Sequence, residues 1–113
     1  AHRPPVFGPL LMFGFGGIFV EVFRDVTFRL APIGRNEARR MVKAIKAHKL
    51  LCGFRGLPEA DIEAIEKCLV RLSDLVTQNP EIVELDINPL LAHPKGQGVT
   101  VADCRMILKA PEA

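Results

Sequence analysis

One uncharged run limits the folds open to this chain more than any other feature. It extends from Val6 to Val20, contains Pro9 and four glycines (Gly8, Gly14, Gly16, Gly17), and stops at Glu21. A spanning helix needs about 18 uninterrupted apolar residues, and this run is too short and too often broken to supply them. Six of the seven phenylalanines fall between Phe7 and Phe28, interleaved with Val, Ile and Leu. That aromatic and β-branched density predicts strands at residues 10–13, 18–23 and 26–31, joined at Gly14 to Gly17 and at Arg24-Asp25. Pro32 and Gly34 close the region. So many phenylalanines exceed what two helices in a chain of 113 residues easily cover, so an exposed apolar face that self-associates or binds a missing partner is expected.

The middle of the chain reads as helical. Asn36 is placed to cap a helix running to about Ala47, with Ala38, Met41, Val42 and Ile45 on one side. A loop around Cys52 to Gly56 follows. Pro58 then suits the first turn of a longer helix whose stripe is Ile62, Ile65, Leu69, Leu72 and Val76, ended by Asn79-Pro80. Glu59, Asp61 and Glu63 would sit near its positive end. Beyond it, Val83, Leu85 and Ile87 alternate with Glu84, Asp86 and Asn88, the pattern of a half-buried strand. Pro89 disfavours further pairing. A turn from His93 to Gly98 leads to a last strand over residues 99–108. The sum is one α+β domain, mostly antiparallel sheet with two helices.

Charge is divided unevenly along the chain. Seven basic residues and one acid, Glu37, lie between Arg35 and Arg55, whereas eight acids and two bases lie between Glu59 and Asp86. Trp and Tyr are absent and the net charge is only +2, so the basic run is a poor nucleic-acid reader. A solvated face, or two helices that attract each other, explains it better. Cys52, Cys68 and Cys104 are odd in number and form no CxxC, which points to small core residues in a reducing compartment. His2-Arg3 is a weak basic start, with no smooth apolar centre or cleavage site behind it, so no secretory signal is expected. Cytosol is the default, without a membrane partner. His2, His48 and His93 read as lone surface histidines, and no Ser-His-Asp or Cys-His arrangement is proposed.

The segment richest in chemistry is Glu84-Leu-Asp86-Ile-Asn88-Pro89-Leu90 with the returning Val101-Ala-Asp103. Residues two apart on a strand share a face, so Asp86 and Asn88 point the same way, and a hairpin return brings Asp103 alongside. An amide oxygen with carboxylates, and no His or Cys, suits Mg²⁺ held at about 2.1 Å, with water and phosphate completing its shell. The plain alternative is a set of surface polar residues on an edge hairpin. Gly14-Phe-Gly16-Gly17 is neither a dinucleotide fingerprint nor a P-loop, because no third glycine, helix or Gly-Lys-Ser/Thr follows. Clustered glycines can still bring backbone N–H groups to phosphate, or make a tight strand connection. Glu21 and Arg29 are either an ion pair or site residues.

These residues also resemble a family. Phe7-Gly-Pro-Leu-Leu-Met-Phe-Gly-Phe-Gly-Gly-Ile-Phe-Val-Glu-Val-Phe-Arg-Asp-Val-Thr-Phe-Arg-Leu-Ala-Pro32 looks like the C-terminal part of the ATP-grasp unit of NDP-forming acyl-CoA synthetases, including ADP-forming acetate–CoA ligase. So does Glu84-Leu-Asp-Ile-Asn-Pro-Leu-Leu91 with Val101-Ala-Asp-Cys-Arg105, and the succinyl-CoA synthetase β subunit is a more distant relative. The resemblance runs from about Phe7 to Leu108. It implies that Asn88 and Asp103 hold the Mg²⁺ bound to the phosphates of ATP or ADP, with Asp86 at an acidic position beside the metal. Gly16, Gly17 and Glu21 match a loop and strand bordering the phosphoryl-transfer site.

The family's nucleotide-gripping lysines lie in an N-terminal ATP-grasp half, and its phosphohistidine loop and CoA-binding domains have no counterpart here. The resemblance therefore implies a fragment or separate piece of a ligase that converts acid, ATP and CoA to acyl-CoA, ADP and phosphate. Its partners are that N-terminal half and the CoA-binding domains or subunit, and the isolated chain is expected to be inactive. Synthetase-like regions also occur fused to protein acetyltransferase domains as regulatory ligand sensors. A purely structural domain is the third possibility. Sequence upstream of Ala1 separates the first two: a phosphohistidine loop favours the ligase, an acetyltransferase domain the sensor.

Overall fold

The computed structural model describes residues 9–14, 26–53, 56 and 58–109. Among them the order is β1 (Leu10–Gly14), β2 (Val26–Leu30), α1 (Arg35–Ala44), the short α2 (His48–Leu51), α3 (Ile62–Gln78), β3 (Ile82–Ile87), β4 (Leu90–Ala92), β5 (Val99–Val101) and β6 (Cys104–Leu108). Three antiparallel ladders result: β1 with β2, β3 with β6, and β4 with β5. The expected α+β architecture of antiparallel strands and two main helices is what forms. The strand expected over residues 18–23, with Gly16, Gly17 and Glu21, lies outside the described residues. No described helix is long and apolar enough to cross a membrane.

The core is assembled from faces that the sequence periodicity marks. Ala38, Met41 and Val42 of α1 are buried, as are Ile65, Leu69 and Val76 of α3, and Leu11 of β1 joins them. On the β1–β2 ladder Leu11 lies opposite Arg29, while Met12 lies opposite Phe28 and Leu10 opposite Leu30. Alternation therefore sends Leu11 inward and leaves Met12, Phe28 and Leu30 about half exposed on the other face. Thr27, buried, donates its hydroxyl to the Met41 carbonyl at 3.1 Å and ties β2 to α1. The buried Ser73 hydroxyl accepts the Ile33 N–H at 2.8 Å, joining the chain before α1 to α3.

The charge division is resolved by pairing the helices. Arg35 of α1 reaches Glu66 of α3 at 3.2 Å and Glu63 at 3.5 Å, and Glu66 is buried. Arg29 pairs with Glu37, which also takes Arg40 at 2.8 Å, and Glu21, considered above with Arg29, lies outside the described residues.

Several expectations move by a few residues, each for a local reason. The chain enters α1 at Gly34, whose carbonyl accepts the Ala38 N–H at 3.1 Å, so Asn36 lies in the first turn instead of capping. The helix ends at Ala44, not Ala47, because Ile45 turns to an extended backbone that buries its side chain. Pro58 stays outside α3. Asp61 caps that helix through Ala64, and Ala60 forms a bridge with Pro94 that holds the preceding residues extended. In β3 a bulge between Ile82 and Glu84 leaves Val83 unpaired and exposed, so Ile82 and Leu85 become the buried residues. The cysteines are not core: Cys52 and Cys104 are exposed, and Cys68 is half-buried with its thiol pushed up by burial.

Two outcomes follow. Met41→Ala removes a fully buried side chain between α1 and the sheet, so denaturant unfolding should show a loss of about 2–5 kcal/mol. The exposed β1–β2 outer face should make the isolated chain bind a hydrophobic dye and self-associate in sedimentation runs. A double change, Met12→Lys with Phe28→Lys, should reduce both without lowering the melting temperature, and a monomeric, dye-silent parent chain would contradict this.

Candidate functional site

β3 to β6 form one long hairpin whose register is constant from Glu84 to Ala92. Asp86 lies opposite Arg105 and Ile87 opposite Cys104 on one side of an opening, and Leu90 lies opposite Val101 on the other. The opening falls at Asn88-Pro89 and Ala102-Asp103. Pro89 has no N–H to give, so the ladder is interrupted there, as its sequence position predicts. The strands do not separate: the Asn88 N–H donates to the Asp103 carbonyl at 3.1 Å, and the Ala102 N–H to the Pro89 carbonyl at 3.1 Å. The last strand expected over residues 99–108 is thus two strands, β5 and β6.

This waist brings together the residues marked in the sequence as candidate metal ligands. Asn88 and Asp103 are directly opposite each other, and Asp86 and Arg105 form the neighbouring opposite pair. Opposite residues share a face, as do residues two apart along a strand, so the four lie on one side of the hairpin. All four are exposed. Asp103 Oδ1 accepts the N–H of Cys104 at 2.9 Å, an internal turn that fixes the carboxylate and leaves Oδ2 to face outward chemistry. Among the described residues no three His, Cys, Asp or Glu side chains converge as a cage. The donors here are two carboxylates and one amide, all hard oxygens, which fit Mg²⁺ with the rest of its shell from water and phosphate.

The far end of the hairpin is clamped to α3. Asp61 is buried; its Oδ1 accepts the N–H of Ala64 at 3.1 Å and its Oδ2 that of Gly98 at 2.7 Å. Gly98 has φ +83°, a conformation that suits glycine, so the turn offers its amide to Asp61 at little steric cost. The Asp61 N–H donates to His93, and the Lys95 N–H to Glu59, both at 2.8 Å. The amides of Gly98 and Ala64 hold the Asp61 carboxyl below its ordinary 3.8.

The remaining candidates divide. Gly16, Gly17 and Glu21 lie outside the described residues, and Arg29 is committed to Glu37. His93 Nε2 bonds the Thr100 hydroxyl at 2.7 Å. His48 is not alone: its two ring nitrogens lie 3.6 and 3.7 Å from Cys52 Sγ. The four-residue spacing of His48 and Cys52 carried that signal. Near-equal distances to both nitrogens place the sulfur beside the ring carbon between them, not in line with one lone pair as a nucleophile–base pair requires. Arg105 is the residue that reasoning from the sequence left without a role; Asp61, expected near the positive end of the longer helix, is there and also holds the hairpin tip. The signal for Arg105 was its place two residues after Asp103 on the return strand.

Residues 1–108 match the family model of the ATP-grasp domain. The chain belongs to the ATP-grasp family. Its structure resembles acetyl-coenzyme A synthetase 1 of Ca. Korarchaeum cryptofilum, with TM-score 0.90 and 52% identity over 96% of this chain and 50% of that one. That protein was solved with coenzyme A and Mg-AMPPCP, its phosphohistidine segment pointing towards the nucleotide binding site. The chain is 49% identical over 106 residues to acetate–CoA ligase (ADP-forming) I of Archaeoglobus fulgidus, covering 94% of this chain and 15% of the ligase. It is also 49% identical over 106 residues to the β subunit of acetate–CoA ligase (ADP-forming) II of Pyrococcus furiosus, covering 93% of this chain and 45% of that subunit. The ATP-grasp portion described here therefore spans less than half the length of these curated relatives.

The Asp61 clamp gives this ATP-grasp hairpin a pH dependence of definite sign. A carboxyl whose folded pKa is depressed stabilises the fold above its unfolded pKa, and the benefit is lost as pH falls through the lower folded value. Glu37 acts in the same direction, held down by hydrogen bonds from Arg29 and then Arg40. Melting temperature should thus be level near neutrality and drop below about pH 4. Asp61→Asn turns an amide donor toward the amides of Ala64 or Gly98, so it should lower the melting temperature at pH 7 and make the acid limb shallower. An unchanged melting profile would show that the clamp contributes nothing.

Proposed function

We propose that this chain is the metal- and phosphate-binding portion of the ATP-grasp unit of an ADP-forming acyl-CoA synthetase. The whole enzyme would convert an acid, ATP and CoA to acyl-CoA, ADP and phosphate in the cytoplasm. The observation that carries this reading is the juxtaposition of Asn88 and Asp103 across the hairpin waist, with Asp86 on the same face. Family membership and the Mg-AMPPCP held by the Korarchaeum relative support it.

In this reading Asn88 and Asp103 hold Mg²⁺ through their side-chain oxygens, and Asp86 adds negative charge beside it. Bound there, the ion would neutralise charge on the transferring phosphoryl group and lower the barrier electrostatically. The chain's own contribution is positional. Asp103 is oriented by the Cys104 amide, Asn88 is fixed by its backbone bond to Asp103, and the hairpin is anchored to α3 at its tip. Gly16, Gly17 and Glu21 are proposed to border the phosphates. The partners are the N-terminal ATP-grasp half and the CoA-binding domains, in one chain or as a second subunit, within an oligomer.

The complete enzyme should require Mg²⁺. Asn88→Ala or Asp103→Ala should each cost several kcal/mol of transition-state stabilisation, on the order of a hundredfold or more in turnover at saturating Mg²⁺. Folded variants that keep the wild-type rate would make the hairpin scaffold and remove this reading.

A further inference from the structure

Among the described residues, three of the six arginines are held by acids, while Arg39 and Arg71 are exposed helix residues without an ion pair. Arg29 and Arg40 are tied to Glu37, and Arg35 to Glu66 and Glu63. Lys95, at the hairpin tip, lies 3.9 Å from Glu59. Arg105 differs. It lies on β6 directly opposite Asp86, is exposed, and makes no ion pair among the described residues, not even with Asp86. It also lies two residues from Asp103 on a strand, hence on the same face as the proposed metal ligands.

Charge explains why a cation would stand there. Three carboxylates, Glu84, Asp86 and Asp103, share this face and outweigh a divalent ion by one charge, so the metal-loaded face without Arg105 would repel an incoming phosphate. Arg105 brings it to neutrality and removes that repulsion. A guanidinium also presents a planar fork of donors that matches two phosphate oxygens, and leaves a metal free because it has no lone pair to offer.

We propose that Arg105 is the anion-binding group of the hairpin, taking phosphate oxygens of a phosphate species whose metal ion is held by Asn88 and Asp103. The inference rests on the reading of the hairpin as a metal–phosphate site and adds to it the group that recognises the anion. Arg105 acts on the phosphate, Asn88 and Asp103 on the ion, and the two affinities are therefore separable.

The test uses the complete enzyme and four variants: Arg105→Ala, Arg105→Lys, Arg105→Glu and Asn88→Ala. Titration calorimetry measures binding of ADP and of inorganic phosphate, each at saturating Mg²⁺, and electron paramagnetic resonance measures Mn²⁺ binding to the nucleotide-free enzyme. Arg105→Ala should weaken anion binding about tenfold or more, with Arg105→Lys between it and wild type and Arg105→Glu weakest. Mn²⁺ affinity should stay level or rise in Arg105→Ala, because a like charge beside the ion has gone. A weakened ADP arm identifies the nucleotide phosphates as the anion, and a weakened phosphate arm alone identifies the free ion. Loss of anion and Mn²⁺ binding together in Arg105→Ala would mark a merely structural residue and overturn the proposal. So would unchanged anion binding in Arg105→Ala when Asn88→Ala loses Mn²⁺. If Asn88→Ala also binds Mn²⁺ and ADP normally, the metal–phosphate reading itself fails.

Discussion

A single hairpin register positions everything proposed for the functional face. Side chains alternate along a strand, so a slip of one residue between β3 and β6 would send Asp86 and Arg105 to opposite sides and bury polar groups against the core. Three forces set that register. Leu85 and Ile82, on either side of the bulge at Val83, are buried and fix which face of β3 meets the core. At the far end, Asp61 grips Gly98 while backbone bonds join His93 and Lys95 to the chain before α3. Between these anchors Pro89 opens the ladder without shifting it. The opening matters because a continuous ladder would leave Asn88 and Asp103 as two more exposed strand residues. Interruption allows Asp103 to bend its carboxylate back onto the Cys104 amide.

Electrostatics divides the remaining labour. One arginine links the basic run of α1 to the acidic run of α3: Arg35 reaches the buried Glu66 and the exposed Glu63. Exposed ion pairs contribute about 0–1 kcal/mol each, so this pairing is not what stabilises the helices. Its effect is specificity: α1 is held against α3 in one orientation while its apolar residues Ala38, Met41 and Val42 fill the core.

How much of this was legible depended on the range of the interaction. The apolar stripes of both helices and the alternation of β3 are short-range patterns, and they located the elements to within a few residues. The waist residues Asp86, Asn88 and Asp103 were legible for the same reason, since strand alternation and a hairpin return suffice to bring them together. What escaped was set by contacts distant in sequence. Pro58 has the right chemistry to begin a helix, yet Ala60 is drawn into a bridge with Pro94 and the helix waits for Asp61. Asn36 is a good cap that lost to Gly34 because Ile33 is pinned by Ser73, far along the chain. The cysteines were assigned to the core by composition, and composition carries no position: β6 is exposed along its whole length, Cys104 with it. Arg105 could be assigned a neighbour only once the register was known.

The incompleteness of the proposed site has a physical sense. Mg²⁺ demands a near-octahedral shell and releases its waters reluctantly, so a site that supplied every ligand from protein would bind the ion tightly and leave no position for phosphate. The hairpin offers an amide and two carboxylates on an exposed face and nothing beyond them among the described residues. Such a set holds a bare ion weakly. In the proposed reading it would become strong when phosphate oxygens fill the open positions and a neighbouring guanidinium balances their charge, so the face would select the metal–phosphate pair over either component. Selecting the pair requires the rest of the phosphate chain to be gripped from another direction. A chain that spans 45% of its Pyrococcus furiosus relative leaves room for that second grip in the rest of such a subunit.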